Sequence, residues 1–355
     1  MLMNGATGEA TLGHPHLNGD RNNATFNSSS FDLNAMVSRE LTLASIKYIF
    51  FAMLGFVSSI VSGTVFMAIM ISSVQRRCSP CQVIDFHKLD VQVSGFNFSS
   101  FVNGMAVIHN SLYALNVLRA GDSPVALVKC VFYGSYNFCY VFSECSLMMI
   151  LLAISVDRAL SLMKPVFHKQ IAYDSYLRLI FLIYFYTLVN VAMVCGLIVW
   201  NYPSKLVSVF CRQYDVIPNT FYAIHFYSII LTNVLASSCN VVSIATATRR
   251  MRQSVSGVYS TPLMKEELAA AKRLFVAVLN TGLLMIPPIL LHCHFFHAGT
   301  AASDFTAFLW APYDVSLIVF ILLYSYHHKH LRMSLYDLFT CYRNNSIAPR
   351  TASLD

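Results

Sequence analysis

Two acids stand inside long apolar runs of this 355-residue chain: Glu144 in the run 131–163 and Asp314 in the run 305–326. A carboxylate in such surroundings is costly to desolvate. It marks either a binding or ion-handling position, or a protonated acid hydrogen-bonded between helices. Tyr140 stands one turn before Glu144, and His292 and His294 lie near the end of another apolar run, 274–296. These side chains together would make a polar, aromatic pocket. Asp157 and Arg158 sit side by side near the end of the run that holds Glu144. Such a pair either lines a cleft at the membrane face or is an ordinary interfacial ion pair. Glu144 precedes Arg158 by 14 positions, about 21 Å of helix, and Asp314 precedes Tyr324 by ten, about 15 Å. Counted from the inner end, Glu144 therefore lies in the outer half of the bilayer, and the two acids can approach one cavity. Metal chemistry has little support: Cys78 and Cys81 have CxxC spacing, but zinc needs four ligands and only His87 lies near. No cofactor is expected.

The elements that must position these residues follow from composition. Hydrophobic residues make up 56% of the chain and charged residues 12%, against about a quarter charged in soluble domains. A bilayer core about 30 Å thick takes roughly 20 apolar residues per helical span. Seven runs qualify: 46–72, 93–118, 131–163, 179–200, 220–246, 274–296 and 305–326. The expected fold is an all-α membrane protein, a seven-transmembrane helix bundle with a short amphipathic eighth helix. The second run is the weakest, interrupted by Asn97, Asn103, His109, Asn110 and Asn116, which should face other helices rather than lipid. After the last run, Leu331, Leu335, Leu338 and Phe339 recur at helical spacing, as in a helix lying on the membrane surface, with Cys341 placed for palmitoylation or left as a free thiol.

Orientation follows from the basic residues. With the amino terminus outside, only Arg21, Arg39, Lys47, Arg119, Lys129, Lys205 and Arg212 of the 24 lysines and arginines fall on the outer side. That bias places the carboxyl terminus in the cytoplasm. It also explains the net charge of +7 without nucleic acid, since the basic residues come in small groups between apolar runs. The polar first 40 residues leave the first span to act as the targeting signal, and the sequons at Asn23 and Asn27 fit an exposed arm. Three regions result: an extracellular glycosylated arm over 1–45, the membrane domain over 46–326, and the surface helix and tail over 327–355.

The run Asp157-Arg158-Ala159 followed by Pro165 resembles the rhodopsin-like G-protein-coupled receptors, whose third helix closes on Asp-Arg-Tyr with a proline seven residues after the arginine. Tyr324, with Leu331-Arg332 after it, keeps the family spacing from the seventh helix to the surface helix. Pro287 and Pro288 keep the kink of the sixth helix, though its tryptophan is lost. The Asn-Pro before Tyr324, the asparagine of the first helix and the mid-depth aspartate of the second are also missing, so a sodium cluster is not expected.

The resemblance implies that Cys130 pairs with Cys211 in the second outer loop, and that Glu144 lies at ligand depth in the outer half of the bilayer. It implies an inactive-state tie from Glu267 to Arg158. Tyr140 stands at the level where amine receptors carry an aspartate, which disfavours a monoamine and leaves Glu144 or Asp314 to pair with a different cation. The expected activity is not enzymatic: an extracellular ligand would bind Tyr140, Glu144, His292 and Asp314. The switch of Asp157, Arg158, Glu267 and Tyr324 would then engage a heterotrimeric G protein at the cell membrane. A transporter or channel running ions or protons past Glu144, Asp314 and the histidines is the alternative, although no paired half-sequences mark transporter repeats.

Overall fold

The computed structural model describes residues 33–77, 88–121, 123–201, 205–254 and 310–327, with further helical positions scattered between 268 and 308 and at 332, 335 and 336. By its contacts the chain divides at Thr42. The first unit contributes the opening turns of α1 (Leu33–Arg77), and the second, 43–355, holds the remaining elements. These are α2 (Lys88–Ala120), β1 (Val125–Ala126), α3 (Leu127–Tyr133), α4 (Tyr136–Met163), α5 (Pro165–Gln170), α6 (Tyr173–Asn201), β2 (Leu206–Val207), α7 (Gln213–Val216), α8 (Asn219–Ser254) and α9 (Ala311–His327).

This is an all-α membrane protein. Four helical segments, Leu41–Ser73, Tyr136–Met163, Tyr173–Asn201 and Asn219–Arg249, are long and apolar enough to cross a bilayer, and a shorter apolar helix covers Ala311–Tyr326. Helices satisfy their own backbone groups, the condition for burying a chain in hydrocarbon. Several hydroxyl side chains within them are satisfied locally: Ser146, Ser155, Thr187, Ser228 and Thr232 each donate to the carbonyl four residues earlier. The outer faces carry apolar side chains such as Phe181, Leu182, Phe185 and Leu188 of α6. Exposed to water, so large an apolar patch would drive aggregation, whereas lipid accepts it.

The long helix α4 stands at the centre, packed chiefly against α8 and α2 and then α6. Its most apolar stretch is 56% buried, against 22% for α6 and 28% for α8. Leu147, Met148, Ile150, Leu151 and Ile154 form the middle of the core. Close approach elsewhere depends on glycine: a Cβ on Gly104 of α2 would collide with Ser59 of α1 and lie 2.8 Å from the Gly55 carbonyl oxygen.

Three features depart from the sequence reading. The run 131–163 is not one helix but breaks at Gly134-Ser135 between α3 and α4. The Gly134 amide donates to the Cys130 carbonyl, and a Cβ at Gly134 would lie 3.0 Å from the Cys211 Cβ, so the break is where the segment holding Cys211 passes. In α2, Asn97 and Asn103 are buried as expected for helix-facing groups, but His109 and Asn116 are exposed. The fourth run begins earlier than its apolar character, at Tyr173.

Candidate functional site

At one end of α4 a disulfide joins Cys130 of α3 to Cys211, with Cα atoms 5.4 Å apart and both residues fully buried. The segment around Cys211 is bound on several sides. Tyr136 donates its hydroxyl to the Phe210 carbonyl at 2.7 Å, Asn137 donates to the Cys211 carbonyl at 2.7 Å, and Tyr113 donates to the Val209 carbonyl at 2.7 Å. Antiparallel pairing of β1 with β2 extends the attachment. Cys211 itself takes the left-handed conformation, φ 45°, which costs a non-glycine residue energy and persists here under these constraints. Cys139, the rival partner, is a free thiol. Nearby, burial pushes the Asp215 carboxyl above the usual aspartate range, against the opposing pull of Arg212 and Lys205.

At mid-bundle Glu144 and Asp314 are both buried. His225 of α8 places its Nε2 3.0 Å from the Glu144 Oε2. Asn103 of α2 donates to the Asp314 Oδ1 at 3.1 Å and accepts from the Ser143 hydroxyl at 3.2 Å. One amide thus ties α2, α4 and α9 together. The hydroxyls of Tyr140 and Tyr313 lie within electrostatic range of both carboxylates, and Asn110 meets Tyr140 from α2. Deeper along the same seam, Ser146 donates to Ser99 at 2.8 Å and Tyr184 donates to the Gly95 carbonyl at 2.7 Å. Pairing of this kind offsets the cost of burying polar groups.

At the far end of α4, Asp157 accepts from the Tyr176 hydroxyl at 2.5 Å and meets the His168 Nε2 at 2.9 Å. Local sequence explains how His168 returns to it. Lys164 ends α4, Pro165 opens α5 at a position that needs no amide donor, and one helical turn brings the ring back. Lys88 donates to the His168 carbonyl at 2.6 Å and hangs over the Tyr176 ring. Arg158 is half-buried beside Asp157. One turn earlier Asn240 of α8 donates to the Ser155 hydroxyl at 2.9 Å. Tyr324 is half-buried on α9, its ring stacked on Phe320.

Of the residues singled out in the sequence, Tyr140, Glu144 and Asp314 thus share one cluster, Asp157 and Arg158 another, and Cys130 and Cys211 a third. Glu267, His292, His294, Asn23, Asn27 and Cys341 lie outside the described residues. Of the surface helix, Arg332, Leu335 and Tyr336 are helical, and Leu335 packs against the core. His225, His168 and Tyr176 were not legible as site residues, though a histidine inside the apolar run 220–246 is the kind of group that signals a buried acid partner. No family model matches the chain, and no curated protein matches it in sequence.

Proposed function

We propose that this protein is a seven-helix receptor of the rhodopsin-like type. Its amino terminus is outside the cell, a ligand binds at the mid-bundle acid cluster, and a heterotrimeric G protein engages beside Arg158. The observation that carries the reading is α4 itself. This one central helix bears Glu144 in a buried polar cluster and Asp157-Arg158 at its end, and packs on α2, α6 and α8 along the way. The disulfide beside its first turn fixes a loop over the outer end.

A ligand that prefers one arrangement of the polar cluster biases the helix packing, and the inner end responds because the helices move as rigid bodies. Asp157 is held by Tyr176 and His168, contacts that tie α4 to α5 and α6. Releasing them frees the Arg158 region for a partner helix. No bond is made or broken in this cycle.

The test is nucleotide exchange. The purified protein in nanodiscs is expected to accelerate GTP uptake by at least one heterotrimeric G protein, and Arg158→Ala to abolish that acceleration while surface expression stays at the wild-type level. Coupling unchanged by Arg158→Ala would overturn the reading.

A further inference from the structure

The mid-bundle cluster holds two carboxylates and, among the described residues, a single imidazole. Glu144 is answered by His225. Asp314, 6% exposed, is answered among the described residues by the Asn103 amide. An amide donor satisfies a carboxylate oxygen but does not offset its charge, and a buried uncompensated charge is costly. Next to Asp314, the Tyr313 hydroxyl has no hydrogen-bond partner among the described residues, although Tyr313 is only 2% exposed. Buried hydroxyls ordinarily have one. That hydroxyl lies in the field of both Glu144 and Asp314. One turn before Asp314, Trp310 presents its ring 6.0 Å from the Tyr313 ring and 6.1 Å from that of Phe226.

We propose that Asp314, Tyr313 and Glu144 form a site for a small organic cation carrying N–H donors, an ammonium or amidinium head with a flat apolar body. Asp314 supplies the counter-charge and the Tyr313 hydroxyl accepts one N–H. The Glu144–His225 pair closes the other side, and the apolar body rests against Trp310 and Phe226, where burial of apolar surface adds to the charge pairing. A metal ion fits less well, since among the described residues no three His, Cys, Asp or Glu side chains gather at ligating distance. In the sequence, Tyr140, on α4 at the level where amine receptors carry an aspartate, disfavours a monoamine and leaves Glu144 or Asp314 to pair with a different cation. Here the carboxylate that answers the cation comes from α9 instead.

This inference rests on the receptor reading in treating the cluster as a ligand site, but its test reads binding with no G protein present. The full-length protein in nanodiscs is titrated with benzylamine and benzamidine, and with benzyl alcohol and benzamide as their uncharged matches, while the thermal unfolding midpoint is followed. At least one cation is expected to raise the midpoint saturably where its uncharged match does not. Asp314→Asn is expected to weaken that binding about tenfold or more, and Tyr313→Phe by roughly threefold to tenfold. If Asp314→Asn does not fold, Tyr313→Phe decides the matter. The site is overturned if neither cation stabilises the protein, if the uncharged matches do so equally, or if the folded variant binds the cations as the wild type does. Absence of cation binding by wild-type protein that still accelerates nucleotide exchange would sink this site alone and leave the receptor reading standing.

Discussion

At the residue scale, Asn103 occupies the most consequential polar position, because among the described residues it is the donor to Asp314 and it also accepts from Ser143. Asn103→Ala strips the buried carboxylate of its donor, at a cost of about 1–3 kcal/mol. The expected result is a thermal midpoint lowered by several degrees in nanodiscs, with much of the loss recovered in the double variant Asn103→Ala, Asp314→Asn, which carries no buried charge to strand. Equal losses in single and double variants would show that Asn103 acts by packing. Asp215 gives a pH test. Its carboxyl is raised by burial, so the folded state holds the proton more tightly than the unfolded chain. Stability present in acid is therefore lost as pH rises from the ordinary aspartate range through the raised value. Asp215→Asn is expected to flatten that slope, measured as midpoint against pH, and a slope unchanged by the substitution would contradict the assignment.

At the element scale, the sequence made the acids legible and left their partners hidden. Glu144 and Asp314 stand out because charge inside an apolar run is conspicuous in one dimension. The side chains that meet them, His225 and Asn103, lie on other helices, 81 and 211 positions away in the chain. Helical spacing says which face a residue takes, not which helix faces it. The break at Gly134-Ser135 left a local trace, a polar dip from Gly134 to Asn137 inside an otherwise apolar run, but the close passage of Cys211 beside it is not written there. The polar character of α2 was legible, and its burial at Asn97 and Asn103 follows from the central position of α4. Glycine positions are readable only afterwards. Gly104→Ala sets a methyl group against the backbone of α1, so a loss of about 1–3 kcal/mol and reduced surface expression are expected. Wild-type stability in that variant would mean the two helices can separate freely.

At the scale of the whole molecule, α4 either carries a signal or lines a path. A receptor and a transporter would both place acids at mid-bundle, but only a receptor uses Asp157-Arg158 to act on a partner without moving an ion. Composition and the apolar helices identify a membrane protein in either case, and the amino-terminal side and seven crossings belong to the receptor proposal. The two readings separate in one preparation: proteoliposomes carrying the purified protein, assayed side by side for G-protein nucleotide exchange and for proton and sodium flux under an imposed gradient. The receptor reading requires accelerated exchange with flux no greater than in empty liposomes. Gradient-driven flux with no effect on exchange by any G-protein class would contradict it.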